Sequence, residues 1–187
     1  MKRLFLIPVV FLLSSCVKKQ GSFAKPPIDS FDTTLGRMSF FIDGNETNSF
    51  HVSGQKINNK LVVNGNKNKV FENRLVPFHA FTLCFDNNSL SRQRLFKVNS
   101  SIVYSDSSKG WAQFGTMADD GDVVCELFDI RESDSTNNWV QIKKQQNDFG
   151  EVWGNFRVSF SKVQDCKSKF YSDDLVVTNG YFHVFVK

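Results

Sequence analysis

The chain has 187 residues, a formal net charge of +4 and 20 phenylalanines. Five of its 23 Lys and Arg residues lie in the first 25 positions, whereas all 19 Asp and Glu residues follow them. The remainder is therefore close to neutral and lacks the concentrated basic charge that binds nucleic acid. We expect no nucleic-acid partner, and the length fits a single domain.

The first 15 residues have the parts of a bacterial secretion signal. Lys2 and Arg3 precede an apolar run over residues 4–13, and Ser14 and Ser15 follow it. The run is too short for a transmembrane helix, which needs roughly 20 apolar residues. The pattern is typical of a signal peptide that is removed from the mature protein.

The cleavage region resembles the lipobox of bacterial lipoproteins, with Leu13-Ser14-Ser15 directly before Cys16. The resemblance implies that Cys16 carries the lipid, palmitate among its acyl chains, and firm anchoring needs two or more such chains. An ordinary signal peptide with an unrelated cysteine at the cut is the alternative interpretation. Lys18 and Lys19 give a basic start to the mature chain, which favours the periplasmic face of the outer membrane.

Residues 16–34 are expected to form the lipidated cysteine and a flexible tether, because this stretch is polar and contains Pro26-Pro27. From residue 35 to residue 187 short apolar runs alternate with turn residues, and helical spacing never lasts three turns. Turns are predicted at Asp43-Gly44 and at Asn64-Gly65. The predicted strands cover residues 37–42, 50–53, 60–63, 76–85, 94–104, 111–117, 123–130, 138–144, 150–162 and 174–186.

About ten strands at this spacing predict an all-β domain over residues 35–187. The architecture is expected to be an antiparallel β-sandwich or barrel, and the pattern does not choose between them. The many aromatic residues suit such a fold, since they favour strands and bury large apolar areas.

Three motifs of the domain resemble a group of small β-rich lipoproteins of the Bacteroidetes. They are the aromatic strand and turn at residues 39–44, the glycine-containing strand at residues 150–156 and the closing Thr-Asn-Gly strand at residues 178–184. The resemblance leaves the middle of the domain unmatched, implies an all-β domain and brings no assigned activity. Envelope proteins of this clade are often O-glycosylated at Asp-Ser/Thr sites, which makes Thr33 and Ser135 candidate acceptors.

Besides Cys16 the chain contains Cys84, Cys125 and Cys166. The bacterial envelope permits disulfides, and three thiols allow at most one bridge with one thiol left over. Cys84 and Cys125 lie in apolar runs and Cys166 in a polar stretch, which does not decide a pair. Two alternatives therefore remain: one disulfide with one free thiol, or three buried free thiols.

The sequence offers no recognisable catalytic or metal-binding pattern. No histidine has a second ligand at the spacing of a zinc motif, and neither a G-x-S-x-G nucleophile turn nor a phosphate-binding glycine loop is present. We therefore name no catalytic residue and expect neither a metal nor a cofactor.

The tryptophans are the best candidates for ligand contact, because an exposed indole stacks on sugars and apolar ligands. They are Trp111, Trp139 and Trp153, and the polar neighbours of Trp139 predict that it is the most exposed. The expected function is a binding module for an envelope protein or a glycan. A glycan or peptide hydrolase whose residues converge from separate strands is the alternative.

Overall fold

The computed structural model describes residues 36–97, 109–118, 121–146, 150–166 and 170–186. These residues form one compact unit of ten strands, as the sequence predicted. In this part of the chain the one helical element is a 3₁₀ segment, Glu132–Asn137. The strands are β1 (Gly36–Ile42), β2 (Asn45–Ile57), β3 (Lys60–Phe71), β4 (Arg74–Asp86), β5 (Gln93–Phe96), β6 (Gly110–Met117), β7 (Val124–Ile130), β8 (Trp139–Gln146), β9 (Glu151–Gln164) and β10 (Asp174–Phe185).

The strands form one sheet that closes on itself. Starting from β10, the sheet runs through β1, β2, β3, β4 and β6. The circuit is completed because β6 pairs with β7, β7 with β9 and β9 with β10. In addition to β7, the strands β5 and β8 connect β6 to β9, because β5 pairs with both β6 and β8 and β8 pairs with β9. Of the two predicted architectures the domain therefore adopts the barrel, and among the described strand pairs only β5–β6 is parallel.

The interior of the barrel is a packed aromatic core. Strand alternation turns every second side chain inward. The rings of Phe81 and Phe156 lie 5.2 Å apart and those of Phe85 and Phe182 lie 5.4 Å apart, so side chains of different walls meet in the middle. The fully buried phenylalanines are Phe40, Phe50, Phe81, Phe85, Phe114, Phe128, Phe156, Phe160 and Phe182.

The predicted turn at Asn64-Gly65 is wrong, because β3 runs straight through it. Gly65 faces the interior, where an added Cβ would lie 3.3 Å from both Met38 Sδ and Phe50 Cβ. The Asn64 side chain accepts a hydrogen bond from the Thr82 hydroxyl at 3.0 Å. Glycine is placed here by close packing, and the Asn-Gly pair has no turn function.

Two of the hairpins turn through a pair of residues with positive φ. Asp43 and Gly44 have φ values of 48° and 83°, which confirms the predicted turn between β1 and β2. Glu72 and Asn73, with φ values of 46° and 64°, join β3 to β4. Paired positive φ values are typical of the tight turns that match the twist of antiparallel strands.

The two ends of the barrel differ. β1 begins at Gly36 beside Val184, where β10 is ending. The opposite end carries the connection from β9 to β10 and a set of inward-facing polar side chains. No helix among the described residues is long and apolar enough to cross a bilayer.

Candidate functional site

A pocket of about 270 Å³ opens on the outer surface of the barrel where β8, β9 and β10 meet. In the β8–β9 ladder Trp139 lies opposite Arg157, and Gln141 lies opposite Asn155. A β-bulge just before Gly180 shifts the register of β10 against β9 at the edge of the pocket. This Trp139 pocket is lined by Arg92, Trp139, Gln141, Lys143, Asn155, Phe156, Arg157, Thr178, Asn179 and Gly180.

Trp139 is partly exposed and forms one wall of the pocket. The guanidinium carbon of Arg92 lies 4.0 Å from the centroid of its ring. Such a cation–π contact at an exposed site contributes roughly 0.5–1 kcal/mol. Trp139 was expected to be the most exposed tryptophan, but Trp139 and Trp153 are both partly exposed. The stacking of Trp139 on a ligand stays a prediction.

The Trp139 pocket is basic. Three of its lining residues are cations, Arg92, Lys143 and Arg157, and among the described lining residues there is no carboxylate. The Nε atom of Arg157 is buried and forms no hydrogen bond within the described structure. Buried N–H groups in proteins are nearly always paired, so this donor is an unusual feature of the site.

Asp134 is the acid whose charge interacts with Arg157, but it is held by other groups. Its carboxylate accepts hydrogen bonds from the Ser159 hydroxyl and from the Asn137 amide. These two bonds lower the pKa of Asp134, with smaller contributions from the positive charges of Arg131 and Arg157. Asp134 therefore links the 3₁₀ segment to Ser159 of β9, and it is not among the described lining residues of the Trp139 pocket.

The other two tryptophans lie outside the pocket. Trp111 is only 3% exposed and packs with Val62 and Cys84 in a small second cluster. The expectation that Trp111 stacks on a ligand is therefore wrong, because its ring is covered. Trp153 is partly exposed on β9 and meets the edge of the His183 ring at a centroid distance of 5.9 Å.

Five polar side chains gather inside the barrel near the β9–β10 connection: His79, Thr116, Glu126, Lys162 and Tyr171. We call them the Glu126 cluster. Lys162 Nζ lies 2.8 Å from Glu126 Oε1, and the two side chains are 5% and 0% exposed. Lys162 also donates a hydrogen bond to the Tyr171 carbonyl at 2.9 Å. The other Glu126 oxygen accepts a bond from the Thr116 hydroxyl at 3.4 Å.

The same cluster contains a tyrosine–histidine pair. The Tyr171 hydroxyl lies 3.1 Å from His79 Nε2. Burial, together with the charges of Lys67 and Lys69, lowers the pKa of His79 to about 4. Burial, together with the negative charge of Glu126, raises the pKa of Tyr171 to about 12. Both groups are therefore neutral at neutral pH.

Lys162 remains charged in this interior position. Burial opposes its charge, but the hydrogen bond and charge of Glu126, with the charges of Asp165 and Asp173, raise its pKa. No residue of this cluster was predicted as a site from the sequence. The signal was present in the strand alternation, since Glu126 shares its face with Phe128 and Lys162 shares its face with Phe160.

The cysteines take different states. Cys125 of β7 forms a disulfide with Cys166 in the β9–β10 connection. Among the described cysteines, Cys84 forms no disulfide. It is fully buried, and burial raises the pKa of its thiol. Of the two alternatives left by the sequence, one disulfide with a spare thiol is therefore the one observed. The disulfide ties the connection to the barrel wall beside the Glu126 cluster.

The remaining predicted sites are placed as follows. Cys16 and Thr33 lie outside the described residues. Ser135 lies in the 3₁₀ segment and is partly buried, and its O-glycosylation stays a prediction. The described residues contain no group of three or more His, Cys, Asp or Glu side chains arranged to hold a metal ion.

Comparisons with family models, with curated proteins and with solved structures return no match for this chain.

Proposed function

We propose that this chain is a bacterial envelope lipoprotein that is anchored through Cys16 and binds a glycan at the Trp139 pocket. The anchor is supported by the sequence, in which a signal of residues 1–15 ends in a lipobox. Lys18 and Lys19 support a position at the outer membrane facing the periplasm. The folded domain is the binding module.

One observation supports the binding function: the indole of Trp139 is partly exposed in a concave site among amide side chains. The C–H face of a sugar ring stacks on an indole, and its hydroxyls pair with amide donors and acceptors. Gln141, Asn155 and Asn179 supply those amides beside Trp139. The volume of about 270 Å³ suits a shallow site for one or two sugar rings.

Binding without hydrolysis fits the pocket better than hydrolysis does. A glycosidase generally needs two carboxyl groups on either side of the scissile bond. The described lining residues of the Trp139 pocket contain none. The buried carboxylate of Glu126 lies elsewhere and is committed to Lys162 and to the Phe170 backbone N–H at 3.2 Å.

The anchor is tested by Cys16→Ser. We expect the variant to lose labelling by a palmitate analogue in growing cells and to leave the membrane fraction. Cys84→Ala is the matched control, because it removes a buried thiol and should keep both the label and the membrane association. A Cys16→Ser protein that stayed with the membrane would contradict the proposed anchor.

The binding function is tested with the full-length protein in detergent and an array of oligosaccharides from the native envelope. Trp139→Ala is expected to weaken binding about tenfold or more, as loss of a central aromatic contact does at binding sites. Trp153→Ala is the matched control, because it removes a partly exposed indole from the neighbouring strand β9, outside the pocket. Equal binding by Trp139→Ala and the unaltered protein would contradict glycan capture at this pocket.

A further inference from the structure

We infer that the Trp139 pocket selects saccharides that carry an anionic group, a carboxylate, sulfate or phosphate, and that Arg157 holds this group. The inference deepens the proposed function and rests on it. Its starting point is the charge of the pocket, because three of its lining residues are cations and none of the described lining residues is an acid.

Arg157 supplies the donor for the anion. Its Nε is buried and has no hydrogen-bond partner within the described residues. A buried N–H without an acceptor is unfavourable, so a shift of the Arg157 side chain that brings Nε to a ligand oxygen would relieve this cost. Guanidinium groups bind carboxylate, sulfate and phosphate through two parallel hydrogen bonds, which gives both affinity and orientation.

The fold does not neutralise Arg157 through a direct contact. The nearby Asp134 uses one oxygen for the Ser159 hydroxyl and the other for the Asn137 amide. Its closest described cation contact is Arg131, at 3.7 Å. Among the described residues no carboxylate forms an ion pair with Arg157, and its Nε donor has no hydrogen-bond partner.

The position of Arg157 fits an anion attached to a stacked sugar. Arg157 is the direct cross-strand neighbour of Trp139, and facing side chains in such a pair lie close together. A ring stacked on the indole would therefore bring its substituents to the guanidinium. Arg92 and Lys143 are exposed, and they add positive potential around the same ring.

The test uses the full-length protein in detergent and matched pairs of oligosaccharides. Each pair has one anionic member, carrying uronic acid, sulfate or phosphate, and the same saccharide without the charge, the uronic acids being reduced to hydroxymethyl groups. We expect at least one anionic member to bind tenfold or more tightly than its neutral partner. Added salt should weaken the anionic member selectively.

Two variants locate the effect. Arg157→Gln should reduce the ratio of the anionic to the neutral member's affinity about tenfold or more. Arg92→Gln, at an exposed position that leaves the fold intact, should reduce the same preference by a smaller factor. Arg74→Gln is the matched control, since it removes an exposed Arg at the start of β4, outside the pocket, and should change neither affinity.

The outcomes separate this inference from the proposed function. Equal binding of both members of every pair, with loss in Trp139→Ala, would overturn anion selection and leave glycan binding standing. A preference that survives both Arg157→Gln and Arg92→Gln would overturn the assignment to this pocket. Absence of binding across the whole set would overturn both proposals.

Discussion

Lys162 and Glu126 form an ion pair inside the barrel, with Nζ 2.8 Å from Oε1 and both side chains almost fully buried. The ammonium group also lies 3.6 Å from Asp165 and 3.5 Å from Asp173 in the connection that covers this end. Its Nζ is 5.5 Å from the centre of the Phe128 ring. The pair therefore joins the aromatic core to the β9–β10 connection.

Removing one partner of this pair is expected to destabilise the domain strongly. Lys162→Met leaves the Glu126 carboxylate buried without its cation, which typically costs about 3–5 kcal/mol. The unfolding free energy can be measured by urea denaturation with fluorescence detection. Lys56→Met is a matched control, because that lysine is exposed on β2 and its loss should change stability by less than about 0.5 kcal/mol.

The double variant Lys162→Met with Glu126→Leu separates charge from packing. Replacing both members of a buried ion pair by apolar residues is often neutral or stabilising. We expect the double variant to recover part of the stability lost in Lys162→Met. A double variant less stable than the single one would show that the Glu126 hydrogen bonds to the connection outweigh its unpaired charge.

The disulfide between Cys125 and Cys166 spans 41 residues. On the chain-entropy estimate, closing a loop of this length stabilises the folded state by about 4 kcal/mol. The double variant Cys125→Ser/Cys166→Ser should lose stability of this order in urea denaturation. Reductant should destabilise the unaltered protein and leave the variant unchanged, and a variant equally sensitive to reductant would contradict the pairing.

His79 makes stability depend on pH in the acid range. Its pKa is about 4 in the folded state against a reference value of 6.5, because burial disfavours the charged form. The unfolded chain therefore takes up a proton at His79 before the folded one does. This contribution to stability is complete above pH 6.5 and is lost as the pH falls to 4, by about 3 kcal/mol in total.

The measurement compares unfolding free energies of the unaltered protein and His79→Gln between pH 4 and pH 7. The difference between the two proteins should shrink steadily as the pH falls, since the variant has no proton to take up at this position. His51→Gln is the control, because it removes a histidine from the outer face of β2. A difference in unfolding free energy that stayed constant over this pH range would contradict a lowered pKa of His79.

The strands were predictable because alternation and turn residues are local signals. The closure of the barrel was not, since it depends on pairings such as Leu127 with Gln164 that no local pattern encodes. The disulfide depended on the same closure, which brings Cys166 to β7. Trp139 could be proposed from its polar neighbours, whereas Arg157 could be recognised only after β8 and β9 were paired.

Gly65 is a position where a local turn signal gives the wrong prediction. An Asn-Gly pair is a strong turn signal in isolation. Here the position faces inward, and an added Cβ would lie 3.3 Å from Met38 Sδ and Phe50 Cβ, so a larger residue would require these side chains to shift. The demands of the core thus override the local preference, and the strand continues.

Gly180 lines the Trp139 pocket directly above the aromatic core. An added Cβ would lie 2.6 Å from ring carbons of Phe156, and that ring packs against Phe81 at 5.2 Å and cannot easily retreat. Gly180→Ala should therefore destabilise the domain by about 1–3 kcal/mol, the usual effect of overpacking. Thermal denaturation measures this loss.

Gly44→Ala is the comparison for Gly180→Ala. Gly44 has a φ of 83° and nothing within 4 Å of an added Cβ, so alanine there brings backbone strain without a clash. We expect Gly44→Ala to lose less stability than Gly180→Ala, about 1 kcal/mol. If Gly180→Ala also displaces the β10 bulge, glycan affinity should fall in that variant and stay unchanged in Gly44→Ala. Equal losses of stability in the two variants would mean that crowding against Phe156 does not explain the glycine at position 180.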